Sequence, residues 1–386
     1  MVESQEQLVR DRLAVLVERL QREPMAKEQA WGATFDAGLS RVHYAEGWGG
    51  IGVRADLQSV VDEGLAGIGI PPNFPANAGG IGIVAPVLAT FANDDQRGRH
   101  LRKVFTTEEY WCQLFSEPDA GSDLPAIRSN AVRDGDSWIL NGHKVWTTMG
   151  HIAQFGLLLA RTSDRPRHNG ITCFILDMAT PGVEVRPLRQ ITGEAEFNEV
   201  FFTDVVIPDA CRIGEIDGGW RIAIGTLMEE RNAVNYMQDN EVSAVDRAIA
   251  FWRSLPDDAR TAVRRDRLAD LVIQTTVYTQ MRARGMAKQK TGTPGPEGSL
   301  AKLRGGELNQ AVYEFCLELM GADGMLWDTY EMTQPSNWYE FGIGPSDLRR
   351  AFVRSRANTI EGGTNEIQRN IVAEHILGLP REPKVG

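Results

Sequence analysis

Basic residues are in short supply relative to acidic ones: 41 Lys and Arg stand against 52 Asp and Glu, a formal charge of −11. Affinity for a nucleic-acid backbone comes from clustered cations that displace counterions, so no nucleic-acid partner is expected. Cysteine is scarce too. Cys112, Cys173, Cys211 and Cys316 are scattered without a C-x-x-C spacing. They suggest neither a zinc site nor a disulfide framework and fit a reducing, cytoplasmic setting. The six histidines show no metal-like spacing, and Ser122 lies in no G-x-S-x-G elbow, which argues against a metallohydrolase or a serine hydrolase. Long apolar runs are missing from the N-terminus, where MVESQEQLVRDRLAVLVERLQRE carries a charge every few residues. That run has neither the apolar core of a signal peptide nor a membrane span, and no membrane association is expected. Its apolar spacing predicts an amphipathic helix.

What is present is an ordinary globular composition, 42% hydrophobic and 24% charged over 386 residues, enough for two or three packed subdomains. From residue 1 to 111 apolar residues recur at three and four, predicting a helical domain. From 112 to 216 short β-branched and aromatic runs predict a compact antiparallel barrel or sandwich. Within it, Asn141-Gly142 in SWILNGHKVWTT predicts a tight hairpin turn. From 217 to 386 helical periodicity returns and predicts a C-terminal bundle, interrupted by TGTPGPEG and YEFGIGPSD. The fold class is therefore α+β, in the order helices, strands, helices. Gly47, Gly49 and Gly52 satisfy G-x-G-x-x-G, but SRVHYAE is a poor buried strand and alternating βα units are absent, so a helix-linking turn is expected there.

Several stretches carry candidate chemistry. Along the helix expected over GGWRIAIGTLMEERNAVNYM, one face holds Ala223, Leu227, Glu230, Val234 and Met237, while Glu229 shares a face with Gly225, Thr226 and Asn232. A carboxylate in an apolar stripe has its charged form disfavoured, the condition for a useful general base; it can equally be an ion-pair partner at a helix interface. FSEPDAGSD combines a small-residue turn with Ser116 and Ser122 as donors for carbonyl or phosphate oxygens, or is simply a turn. In KVWTT, period two puts Trp146 and Thr148 on one side of a strand, as a plate and hydroxyl beside a planar cofactor or as core. Asn365 and Gln368 have capping-box spacing, which puts EGGTN at a helix N-terminus whose free N–H groups suit an electronegative ligand edge.

Taken in order, SEPDAGSD, NGHKVWTTMG, GITCFILDM, EVFFTDVVIP, MEERNAV, LMGADGM and IEGGTNEIQRNIVAEHILG make the chain resemble the acyl-CoA dehydrogenase flavoprotein family over nearly its whole length. The resemblance implies an N-terminal helical domain, a middle β-domain and a C-terminal bundle that drives tetramer formation. It implies FAD as cofactor, an acyl-CoA thioester as substrate, and an electron-transfer flavoprotein as acceptor. The implied reaction removes the α-proton and delivers the β-hydride to flavin N5, giving a trans-2-enoyl-CoA. The resemblance further implies that the thioester carbonyl is polarised by the cofactor's ribityl chain and a backbone N–H.

By motif match, Leu114, Phe115, Ser116 and Ser122 line the flavin and acyl-pantetheine, with Trp146 and Thr148 beside the isoalloxazine. Glu318, Gly321 and Ala322 stand in the family's Gln-x-x-Gly-Gly stretch, with Glu for Gln and Ala for the second Gly. The Arg-x-x-Phe-Gly element that many members use on the FAD pyrophosphate has no match in FWRSLPDDAR. A mixed tetramer with a flavin-poor subunit, or an oxidase or oxygenase on this fold, is also compatible. Glu361, Gly362, Gly363, Thr364 and Glu366 border the cofactor. Most members carry the base directly before the loop's Gly-Thr, where this chain has Gly362, so Glu361 falls one residue early. A branch that includes isovaleryl- and long-chain-type enzymes places the base on the long helix before an arginine. Glu230 before Arg231 matches that branch, with Glu361 as the competitor. Arg231 and Gly362 are then substrate contacts, and the small Gly362 suggests a branched or bulky acyl group.

Overall fold

A computed structural model describes residues 2–239, 243–290, 297–342 and 347–381. The chain divides into two compact units. One comprises Met1–Arg189, Ala195–Asn235 and Thr333–Gly342; the other comprises Gln190–Glu194, Tyr236–Met332 and Ile343–Gly386.

The first unit opens with the expected amphipathic helix, Val2–Arg22, which buries Val9, Leu13, Leu16 and Leu20 at steps of three and four. These pack against Leu39, Val42, Val53, Leu57, Val61 and Leu65. Helices Lys27–Asp36, Gln58–Ala66, Ala85–Phe91 and Asp94–Phe105 complete the helical layer. The last begins with a reciprocal cap: Asn93 Oδ1 accepts from Gln96 N at 2.9 Å, and Gln96 Oε1 accepts from Asn93 N at 3.2 Å. Gly47, Gly49 and Gly52 lie among turns between helices, with no strand before them and only an isolated bridge from Glu46 to Gly50, so the dinucleotide reading fails.

The same unit contains an eight-stranded sheet: β1 (Trp111–Leu114), β2 (Asn130–Asp134), β3 (Ser137–Thr148), β4 (Phe155–Arg161), β5 (Ile171–Asp177), β6 (Val183–Pro187), β7 (Phe197–Pro208) and β8 (Arg212–Ile213). The order is β6-β7-β3-β2-β4-β5-β8, with β1 pairing β4. Most pairs are antiparallel, but β1 and β2 both meet β4 in parallel. Alternating residues such as Trp138, Leu140, Leu158, Ala160, Phe174, Val200 and Phe202 fill the core.

The hairpin expected at Asn141-Gly142 does not form there. β3 continues through these residues with a register shift against β7 between Leu140 and Gly142; Asn141 lies opposite Asn130 and Gly142 opposite Phe202. Chain reversal instead occurs at Gly135-Asp136, between the paired Asp134 and Ser137. Asn141 reaches across to Asp204: its Nδ2 donates to Asp204 Oδ1 at 3.0 Å and its Oδ1 accepts from Asp204 N at 2.9 Å. Gly142 lets Ser129 approach the strand, since a Cβ there would sit 2.2 Å from Ser129 Oγ.

In the second unit, helix Glu297–Met320 packs against helices Ala244–Ser254, Ala262–Lys290, Leu348–Ser355 and Asn365–Ile371. Leu268, Leu271, Leu308, Val312, Phe315 and Leu319 lie in its core. Among the described residues, no helix is long and apolar enough to cross a membrane.

Candidate active site

Strand β1 leads out of the core through Leu114 and Phe115, both buried, into half-buried Ser116. Ser116 O accepts from Val145 N at 3.0 Å, which joins this exit to β3. Beyond it the chain turns through Pro118–Ile127 and returns at Arg128-Ser129; Ser122 is exposed on this loop. Two buried charges close its neck. Lys144 Nζ donates to Phe115 O at 2.9 Å and to Glu117 Oε1 at 2.8 Å. Glu117 also accepts from Arg128 N at 2.6 Å and Ser129 N at 3.0 Å. Burial pushes Lys144 down to about 8, opposed by Glu117. Burial acts to raise the Glu117 carboxyl, but Lys144 and the backbone donors outweigh it and hold the group below its usual value.

Trp146 and Thr148 do not follow simple alternation. The β3–β7 register shifts between Lys144 and Thr147, and Trp146 takes φ +61°, uncommon for a bulky residue. The bulge leaves the Trp146 indole 57% exposed while Thr147 is fully buried and Thr148 half-buried. Phe197 on β7 supports the indole edge-on, with centroids 5.8 Å apart at 84°. An exposed aromatic plate on a constrained backbone, with a hydroxyl two residues on, suits one face of a planar ring system.

Helix Gly219–Asp239 brings Glu230 to the same region. Glu230 is half-buried, and Gln113 Nε2 donates to its Oε2 at 3.4 Å. Gln113 is the half-buried residue of β1 between buried Cys112 and Leu114. Glu229 acts elsewhere: its charge adds to the burial that raises the Tyr44 phenol, against Arg41. The expected stripe is only partly apolar in its surroundings, with Ala223 fully buried and Leu227 36% exposed. The side chains of Arg231, Val234 and Met237 lie outside the described residues.

The second unit holds the C-terminal loop. Glu361 is engaged there, accepting from Arg354 at 2.9 and 3.3 Å and from Asn358 Nδ2 at 2.8 Å, with its side chain 43% exposed. Gly362 and Gly363 have φ +63° and +85°, so both need the freedom of glycine. A Cβ on Gly362 would meet nothing within 4 Å. The cap of helix Asn365–Ile371 is Thr364, whose side chain accepts from Ile367 N, one residue before the expected Asn365. Gln368 is fully buried and its Nε2 donates to Gly362 O at 3.2 Å, fixing the loop from beneath. Glu366 is exposed beside Arg369. Glu318 forms an ion pair with Arg267, and Gly321 and Ala322 follow in an exposed turn after the helix.

Gln113, Glu117 and Lys144 are the site residues that sequence reading missed. For Gln113 the signal was period two in WCQL; the Glu117–Lys144 contact spans 27 positions and has no local signature.

Three consecutive family matches account for this architecture: the acyl-CoA dehydrogenase N-terminal domain over residues 1–108, the middle domain over 112–205 and the C-terminal domain over 217–377. The chain belongs to the acyl-CoA dehydrogenase family, whose members are flavoprotein oxidoreductases. It is 34% identical over 374 residues to acyl-CoA dehydrogenase IpdE1 from Mycobacterium tuberculosis, covering 94% of this chain and 91% of that protein. It is also 34% identical over 384 residues to acyl-CoA dehydrogenase FadE34 from the same organism, covering 97% of this chain but 49% of that longer protein. The ChsE4-ChsE5 complex from Mycobacterium tuberculosis shares the fold, with TM-score 0.68, 24% identity and 99% of each chain covered. So does the "Tcur3481-Tcur3483 steroid ACAD", with TM-score 0.73, 21% identity and 99% coverage of each.

Proposed function

We propose that this chain catalyses FAD-dependent α,β-dehydrogenation of an acyl-CoA thioester, with Glu230 as the base. One observation carries the assignment of the base: Glu230 is a half-buried carboxylate that accepts from Gln113 of β1, in the unit that holds Ser116 and Trp146. Glu230 takes the α-proton onto a carboxylate oxygen, while Gln113 donates to the other and orients the group. FAD, when bound, would supply the hydride acceptor, so that the thioester would lose one proton and one hydride and leave as the trans-2-enoyl-CoA. Leu114, Phe115, Ser116 and Ser122 would hold the acyl-pantetheine and flavin, with Trp146 and Thr148 beside the flavin ring system.

By resemblance to the family motif, glycine at 362 in place of a carboxylate favours a branched or bulky acyl group. Fatty, branched, sterol-side-chain and polyketide-derived thioesters share this chemistry, on CoA or an acyl carrier protein. An anaerobic screen of such thioesters tests the reading: the matching one bleaches the flavin, and a flavin-loaded protein that none of them bleaches contradicts it. Electrons then pass to an electron-transfer flavoprotein from a cytoplasmic tetramer. Rapid reoxidation by oxygen instead would make the chain an oxidase or oxygenase.

A second reading is a flavin-poor subunit of a heterotetramer. It draws on the missing Arg-x-x-Phe-Gly element and on Glu318, whose carboxylate is paired with Arg267 where the family offers a neutral amide. Flavin per chain, measured on the chain purified alone, separates the two: a colourless protein supports the subunit reading.

A further inference from the structure

We propose that the buried Lys144–Glu117 ion pair is a positioning device. It clasps the loop between Ser116 and Ser129 to β3 and sets the bulge that presents Trp146. The proposal rests on the flavin and thioester site described above.

Lys144 is fully buried and Glu117 is 7% exposed. Desolvating two charges consumes most of what their attraction returns, and an apolar pair of similar volume often stabilises a fold as well or better. What the pair supplies here is geometry. Its hydrogen bonds fix four points together: Phe115 O at the exit of β1, Glu117 at the start of the loop, the Arg128 and Ser129 amides at its end, and Lys144 on β3. The ammonium holds the carbonyl and the carboxylate, and the carboxylate holds both amides, so the loop closes at its neck whatever the residues between do.

The same pull acts on β3. Period two would put Trp146 on the same side of β3 as buried Lys144, two residues before it. Val145 N is also committed to Ser116 O. The register shift between Lys144 and Thr147 breaks that alternation, and Trp146, at positive φ, turns outward. Lys144 anchored to Glu117 and the Val145 amide anchored to Ser116 O bracket the start of this bulge, so the clasp sets the distance between the Ser116–Ser122 side of the site and its aromatic plate. Neither residue touches the reacting atoms.

The test uses Lys144→Met, Glu117→Gln and the double variant in the full chain. Removing both charges together avoids a buried unpaired charge if either single variant fails to fold. Leu16→Ala, in the separate core of the N-terminal helices, is the control for general destabilisation. Two readouts are taken: the FAD dissociation constant and KM, and hydrogen exchange of the Arg128, Ser129 and Val145 amides without flavin. Partial unfolding lowers the active fraction but moves neither constant. The clasp variants should raise the FAD dissociation constant and KM at least roughly tenfold and speed exchange at those amides beyond the control. They should leave the pH midpoint of kcat in place. Clasp variants that match Leu16→Ala in exchange, FAD affinity and KM would overturn the proposal. A wild-type chain that takes up no FAD would overturn the flavin reading, and exchange at the three amides would still judge the clasp.

Discussion

Replacing Gly142 by alanine separates a glycine kept for a turn from one kept for close approach. On β3 the new Cβ would lie 2.2 Å from Ser129 Oγ, 2.4 Å from Ser129 Cβ and 2.7 Å from Ser129 Cα. The hydroxyl can rotate away, but the Cα cannot. Overpacking typically costs ~1–3 kcal/mol, and a backbone obstacle, added to the strain of a side chain at the φ of +156° that Gly142 adopts, puts this case near the upper end. Gly135 is the comparison, because it occupies the real turn at φ +57° and a Cβ added there would meet nothing within 4 Å. Alanine there incurs only the left-handed penalty, ~1–2 kcal/mol. Urea titration followed by tryptophan emission should therefore show a larger midpoint shift for Gly142→Ala than for Gly135→Ala, at unchanged slope. Adding Ser129→Gly should recover part of the loss, since it removes the two shortest contacts and leaves the Cα. Equal shifts for the two alanine variants, or no recovery, would refute the close-approach account.

Asp209 is held at about 2 by hydrogen bonds from Arg212 and then Trp138. Its folded value lies below the unfolded one, ~3.9, so its contribution is complete above that pH and is lost as pH falls through about 2. Asp209→Asn should cost ~1 kcal/mol or less at neutral pH and flatten the acid limb of melting temperature against pH; an unchanged limb would count against it. Burial pushes the Cys112 thiol up to about 12 and Cys316 up to about 11, and raises Cys173 and Cys211 as well. Native protein at about pH 8 should thus resist thiol reagents until denatured, and a rapidly modified native cysteine would contradict this. Glu361→Gln loses a partly exposed pair with Arg354 and should lower stability by no more than ~1 kcal/mol in a thermal melt. A much larger loss would mean that the loop depends on that pair.

The Gly142 comparison also shows where sequence reading succeeds. Val9, Leu13, Leu16 and Leu20 are legible because helical period and burial coincide within one element. Asn141-Gly142 misled because the dipeptide that favours a turn also serves a bulged strand: Asn141 reaches Asp204 sideways and Gly142 admits Ser129. Thr364 caps where Asn365 was expected because both can accept an amide and only the backbone decides which stands outside the helix. Glu230 could be singled out along its own helix, but Gln113 is 117 positions away and only the fold brings it within reach. The Lys144–Glu117 clasp was hidden for the same reason, since a buried charge is recognised by its partner and not by its neighbours in sequence.

The identity of the base is tested most directly by anaerobic mixing of flavin-loaded protein with a thioester that bleaches the wild type, comparing Glu230→Gln with Glu361→Gln. The account requires Glu230→Gln to keep its flavin spectrum and slow bleaching by at least ~10²–10⁴-fold, with Glu361→Gln close to wild type. Near-normal bleaching by Glu230→Gln together with an inert Glu361→Gln would contradict it.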